Sequence, residues 1–363
     1  MNQSGRQVLL LASAQALFAT ATTLVVTVGA LAGRQIASSP KLATAPIAAM
    51  FLGTVIVIVP ASMWMARAGR RNGFVLGAIL GALGGVVAAW GIHLKSLLVL
   101  ALGTLLIGAY QGFAQFYRFA ASEVADETFR ARAISLVLAG GIVAAFLGPA
   151  LGTMGARLLE SAFIGSFLIL TSISVIAAIL LTQLNIPTPK ATVAGKPPRP
   201  LLEIIRQPNY VVALFGAATG SGVMVLAMTA TPLAMAHHNH TLAAGAAVIQ
   251  AHVLGMFVPS FFSGSLIARF GAPRIMLAGV VVLSAHVAMS FSGTGFVSFA
   301  SALVLLGVGW NFLYVGGTTL LTSTYLPAER ATAQATNDLV VFVVGLASSL
   351  TAGALLETVG WRV

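Results

Sequence analysis

Cysteine is absent from these 363 residues, which excludes disulfide bonds and thiolate metal sites. Charge is nearly as scarce. Asp, Glu, Lys and Arg together make up 7% of the chain, against roughly 25% in ordinary soluble domains. Acids are scarcest, eight in all, and none lies near the centre of a long apolar run. A soluble fold cannot cover its surface with so few charges, so lipid has to serve as solvent for most of it. The net charge of +11 is therefore no sign of nucleic-acid binding. What matters in such a chain is where along it the positive charges fall.

Long hydrophobic runs are plentiful. Eleven are long enough to span a bilayer, at about 8–32, 42–65, 73–93, 96–118, 132–155, 161–183, 208–233, 242–268, 274–293, 296–322 and 335–357. They are continuous rather than alternating, which predicts helices, not barrel strands. The first run is too long for a signal peptide and is read as the first membrane helix. With the N-terminus cytoplasmic, 14 of the 19 Lys and Arg fall inside; only Arg34, Lys41, Lys95, Arg157 and Arg362 fall outside. That bias sets the expected orientation in a bacterial-type inner membrane.

The chain also repeats itself at an offset of 202 residues: Met65-Ala66-Arg67-Ala68-Gly69 is echoed by Ile267-Ala268-Arg269-Phe270-Gly271, and Arg130-Ala131-Arg132-Ala133 aligns with Thr332-Ala333-Gln334-Ala335. The expected organisation is an all-α integral membrane protein of two pseudo-symmetric bundles. A six-helix bundle occupies residues 1–184 and a proline-rich cytoplasmic linker 185–207, with Pro187, Pro189, Pro197, Pro198 and Pro200. A second bundle at 208–363 holds five helices and an incomplete sixth. The same offset places the end of a twelfth span near residue 383, so either the twelfth helix is truncated, which is the expectation, or the protein dispenses with it.

These features resemble the major facilitator superfamily. Its loop motif, Gly-x-x-x-Asp-Arg-x-Gly-Arg-Arg, is matched by Arg67, Gly69, Arg70 and Arg71, with Ala66 in the acidic place; Gly264, Arg269 and Gly271 match in the second half, with Ala268 there. The fifth run resembles the family's exporter motif through Gly141 and Gly148-Pro149-Ala150-Leu151-Gly152. Gln111-Gly112 resembles part of another motif, but its Arg is missing around Ile107. The resemblance implies halves that rock about a central site, gated near Arg67, Gly69, Arg70, Arg71, Gly148, Pro149, Arg269 and Gly271, with a tilt toward export.

Polar side chains inside apolar helices are costly and mark candidate paths. Gln111, Gln115 and Arg118 share one helical face, at spacings of four and three. Arg118 could attract an anionic group or simply pair with Glu123 or Asp126. Trp310 and Tyr314, with Asn311 and Thr318, form an aromatic face with polar tips, suited to a ring-bearing molecule or to plain packing. Gln15 and Thr22 add weaker candidates, because threonine often bonds back to its own helix. His252, beside Gln250, can carry a proton or sit neutral against a neighbouring helix. His252, Asp338 and Glu123 are the candidates for proton coupling. His237, His238 and His240 are too closely spaced to converge readily on one ion, so no metal and no cofactor is expected.

The expected function is a monomeric secondary transporter, with the lipid bilayer and a small-molecule substrate as partners and no nucleic acid. The substrate is expected to be a small neutral or anionic molecule, aromatic in character, moved by alternating access in proton-coupled export. A gradient-driven facilitator or importer of one metabolite is the alternative. An intramembrane enzyme and a non-transporting receptor are more remote, since no nucleophile or zinc motif and no output domain is present.

Overall fold

The computed structural model describes residues 3–124, 133, 136–137, 139–186, 199–326 and 329–361. Asp126, Arg130, Arg132, Arg362 and most of the expected linker (187–198) lie outside the described residues. Apolar chain in hydrocarbon has no water to satisfy its backbone, so each run closes its hydrogen bonds internally as a helix. In order these are α1 (Gln3–Ile36), α2 (Ala45–Ala68), α3 (Arg70–His93), α4 (Leu97–Ala114), α5 (Tyr117–Val124), α6 (Gly140–Gly155) and α7 (Ile164–Leu181). They continue as α8 (Leu201–Ile205), α9 (Pro208–His237), α10 (Leu242–Phe257), α11 (Ser260–Phe270), α12 (Ala272–Ser290), α13 (Phe296–Thr322) and α14 (Arg330–Val359).

Among the described residues, 10 spans are long and apolar enough to cross a membrane, and α6 is a shorter apolar helix. Two expected runs are interrupted. The run at 242–268 breaks between α10 and α11 at Val258-Pro259, because proline has no N–H to continue the ladder. The run at 96–118 tightens after α4, where Phe116 N–H donates to Phe113 O at 3.2 Å, and resumes as α5. Outward-facing residues are large and apolar: Phe215 is 72% and Phe261 70% exposed, as a lipid-facing surface requires.

The repeat is visible in backbone geometry. Gly69 joins α2 to α3 at φ 85°, ψ 152°; Gly271 joins α11 to α12 at φ 84°, ψ 149°. Each accepts the same cap, Gly69 N–H donating to Met65 O at 3.0 Å and Gly271 N–H to Ile267 O at 2.8 Å. Helix neighbours repeat too. α3 packs on α4 as α12 does on α13, α2 on α4 as α10 on α13, and α1 on α6 as α9 on α14. The halves meet where α2 lies along α14 and α6 along α10.

One face of the bundle carries the N-terminus and the arginine-rich turns; we call it the basic face. At the opposite face Ala30, Ala43, Ile47 and Leu233 are buried together with Leu356 against them, sealing α1, α2, α9 and α14 across the halves. On the basic face Glu329 is fully buried at the start of α14. Its carboxylate accepts from Arg199 N (2.8 Å), Nε (2.8 Å) and Nη2 (2.7 Å), and from Leu326 N (2.9 Å). The Arg199 side chain foremost, then the Leu326 N–H, hold this carboxyl down to about 2 from an ordinary 4.5.

Candidate transport site

Between the halves lies a cavity of about 250 Å³, reached by α1, α2, α4, α9, α10, α13 and α14. Gln15, Thr22, Gln111, Gln115, Arg118, Trp310, Tyr314 and Asp338 all line it. Sequence spacing put Gln111 and Gln115 on one face of a helix; the packing of α2 on α4 turns that face inward. Thr54, buried on α2, lies 3.1 Å from Gln111 Oε1, with Gly108 O at 2.9 Å and Met50 O at 3.1 Å sharing the same hydroxyl. Thr22 bonds back to Ala19 O at 3.1 Å, the local competition expected of a helical threonine.

Trp310 and Tyr314 stack, with ring centroids 4.6 Å apart and planes 13° apart. The Trp310 indole donates to Ser221 Oγ on α9 at 3.2 Å, and Phe257 meets its ring edge-on at 6.5 Å. Methionines 224, 228 and 256 complete the C-terminal wall. Sequence inspection missed these thioethers, Phe257 and Thr54, because nothing distinguishes one apolar or hydroxyl residue from another within an apolar run.

At the basic-face end the cavity is crossed by charge. Arg118 donates from Nη1 to Tyr314 Oη at 2.6 Å and from Nη2 to Asp338 Oδ2 at 3.2 Å. Both charged side chains are 17% exposed. Asn337 supports Asp338 at 3.2 Å, whereas Gln334 turns aside to Tyr325 Oη at 2.7 Å. The three helices α5, α13 and α14 thus meet through one guanidinium.

Several expected site residues face elsewhere. His252 is 0% exposed and its Nδ1 bonds Leu303 O at 2.9 Å. His286 bonds the adjacent Ala302 O at 2.8 Å in the same way, so the two imidazoles pin α10 and α12 to α13. Against the expectation of a cavity residue, His252 is turned into the C-terminal bundle. Asn311 is likewise buried. It donates to Met256 O and Ser260 Oγ, both at 2.7 Å, and accepts from Ser263 Oγ at 2.6 Å, which satisfies backbone and hydroxyl groups at the α10–α11 break. Gln250 is half-buried on α10 and is not part of the lining.

Glu123 is also away from the cavity. It takes two bonds from Arg70, at 2.7 and 3.3 Å, and braces the α2–α3 turn against α5 on the basic face. Arg67 and Arg71 are exposed there, and Arg269 lies 5.2 Å over the Phe270 ring. Gly148 and Pro149 are buried in α6, Gly148 against Thr23 of α1. Gly141 faces the Phe257 ring across the halves, where a Cβ would approach to 2.6 Å. Among the described residues no three His, Asp or Glu converge as metal ligands; His240 Nε2 instead bonds Thr294 O at 2.8 Å.

A cavity between two repeat-related helical bundles in a membrane chain is the architecture of secondary transporters. The sequence profile of the Major Facilitator Superfamily matches residues 11–258, and the chain belongs to that family. A riboflavin transporter of Brucella anthropi is 39% identical over 360 residues, 98% of this chain and 90% of that protein. An uncharacterised MFS-type transporter of Bacillus subtilis is 29% identical over 353 residues, 91% of this chain and 80% of that protein. Among solved structures the fold matches a D-xylose–proton symporter at TM-score 0.75 and 14% identity, covering 99% of this chain and 91% of that one. It also matches an inward-facing bacterial homologue of the human lysosomal transporter Spinster at TM-score 0.73 and 17% identity, covering 98% and 84%.

Proposed function

We propose that this chain carries a small neutral molecule with a planar aromatic ring through the central cavity, and that riboflavin is its first candidate substrate. The observation that carries this reading is the Trp310–Tyr314 stack in the cavity wall, facing a lining that includes Gln15, Gln111 and Gln115. A stacked aromatic pair suits a flat ring, and carboxamides suit its polar edge. The 39% identity to a riboflavin transporter supports the same cargo. Because Arg118 and Asp338 neutralise each other, the lining favours an uncharged ligand.

The basic face is proposed to be cytoplasmic, which its arginines support. Asp338 is the proposed coupling group, since a proton on it would weaken its hold on Arg118 and free the cavity end that the pair crosses. Export is the proposed direction, supported by the buried Gly148–Pro149 pair. Family membership favours transport over intramembrane catalysis.

Radiolabelled riboflavin offered to right-side-out and inverted vesicles tests the reading. Gradient-dependent accumulation in inverted vesicles is expected for export; accumulation only in right-side-out vesicles reverses the direction. Absence of protein-dependent flavin movement in both orientations overturns the substrate.

A further inference from the structure

We propose that the two halves divide recognition between them, the N-terminal half gripping the hydrogen-bonding edge of a ring and the C-terminal half holding its face. This rests on the reading above, that the cargo is a neutral aromatic heterocycle, and narrows it to rings that carry a cyclic imide or lactam edge.

The division follows from which helices supply which chemistry. All three carboxamides on the lining come from the N-terminal half: Gln15 from α1, Gln111 from α4 and Gln115 from the turn after it. Gln111 meets the Thr54 hydroxyl through one carboxamide atom, at 3.1 Å. The side chains of Gln15 and Gln115 make no hydrogen bond to other described residues, so their donors and acceptors are available to a ligand. A primary carboxamide sets an acceptor and donors side by side in one plane. One such group complements the N–H and one carbonyl of a ring edge reading carbonyl, N–H, carbonyl, and a second can donate to the other carbonyl.

The C-terminal wall carries the stacked aromatic pair and no carboxamide, while Phe18, Phe51 and Met50 add apolar surface on the N-terminal side. Trp310 and Tyr314 present flat rings, and three thioethers extend the surface. Two hydroxyl oxygens there accept from neighbours, Ser221 from the indole N–H and Tyr314 from Arg118, and Thr229 adds a third hydroxyl to the lining. Asp338 is held by the same guanidinium. A ring stacked on this wall finds carboxamide partners for its edge across the cavity, on the half that moves away in alternating access. Parting of the halves separates edge from face and releases the ligand.

With the ligand seated between the halves, one that cannot make the edge contacts leaves carboxamides unpaired, a loss that discriminates strongly. Riboflavin has this edge at its pyrimidine ring, lumichrome keeps it without the ribityl chain, and 3-methylriboflavin has it blocked. Each is measured by equilibrium binding to the purified full chain in nanodiscs, using ligand fluorescence. Riboflavin and lumichrome are expected to bind alike and 3-methylriboflavin at least about tenfold more weakly. Gln111→Leu should shrink that discrimination; Trp310→Ala should weaken all three ligands while preserving it.

Equal binding of riboflavin and its 3-methyl derivative to the wild type overturns the division, whether or not any variant folds. Loss of discrimination in Trp310→Ala, with Gln111→Leu unaffected, overturns it as well. A wild-type protein that binds neither riboflavin nor lumichrome overturns the flavin reading itself, and the division of that ligand falls with it.

Discussion

Arg118 and Asp338, from opposite halves of the chain, meet at 3.2 Å across the basic-face end of the cavity. Tyr314 accepts from the same guanidinium at 2.6 Å, so one of the stacked rings and the ion pair share a residue. Asp338→Asn keeps the shape but removes the charge, leaving Arg118 uncompensated in a largely dehydrated place. We expect gradient-driven accumulation to fall to background in that variant while substrate counterflow persists. Unchanged accumulation, measured beside counterflow in proteoliposomes, would exclude Asp338 from coupling.

Gly69 and Gly271 occupy a backbone region that is essentially glycine-only, each at a positive φ close to 85° with an extended ψ. Replacing either by alanine should cost about 1–3 kcal/mol in strain. The two variants are expected to lower the thermal midpoint by similar amounts, because the turns are copies. Gly264→Ala, in a helix with open space around it, serves as the control and should be neutral or mildly stabilising. Thermal unfolding in detergent reads all three.

Glu329 gives a pH prediction outside the membrane spans. Its carboxyl sits at about 2 in the fold against an ordinary 4.5, because Arg199 and the Leu326 N–H bond its charged form. A depressed carboxyl stabilises the fold fully above its unfolded value, and the stabilisation is lost as pH falls through the folded value. Glu329→Gln should therefore lower the thermal midpoint at pH 7, with the gap to wild type narrowing between about pH 4.5 and 2. A gap independent of pH across that window would contradict the assignment.

His252 is expected to matter for stability and not for coupling. Its imidazole fills space between α10 and α13 and bonds Leu303 O, so His252→Ala leaves a cavity at roughly 2–5 kcal/mol. Transport per folded molecule should keep the wild-type pH profile. A shifted profile would return this histidine to the proton path.

Much of the fold was legible in one dimension. Length and hydropathy of the runs predicted the spans, and the 202-residue repeat predicted the paired turns at Gly69 and Gly271. The break at Pro259 could have been read from proline chemistry, but the tightening after Ala114 has no such marker. Candidate site residues divided by direction. Gln15, Gln111, Gln115, Trp310 and Tyr314 came to the cavity, while His252, Asn311 and Gln250 did not, although all lie in apolar helices.

The sequence by itself determined that this is a two-fold repeated helical membrane protein of the transporter kind. Hydropathy, glycine and proline placement, and self-similarity are properties of neighbouring residues and survive without coordinates. Only the tertiary structure decided which polar groups meet. A helix turns about 100° per residue, so a displacement of one or two positions, as between Trp310 and Asn311, sends one side chain to the cavity and the next to a neighbouring helix. The pairing of Arg118 with Asp338 joins residues from separate halves, and no local pattern encodes how two bundles set against each other.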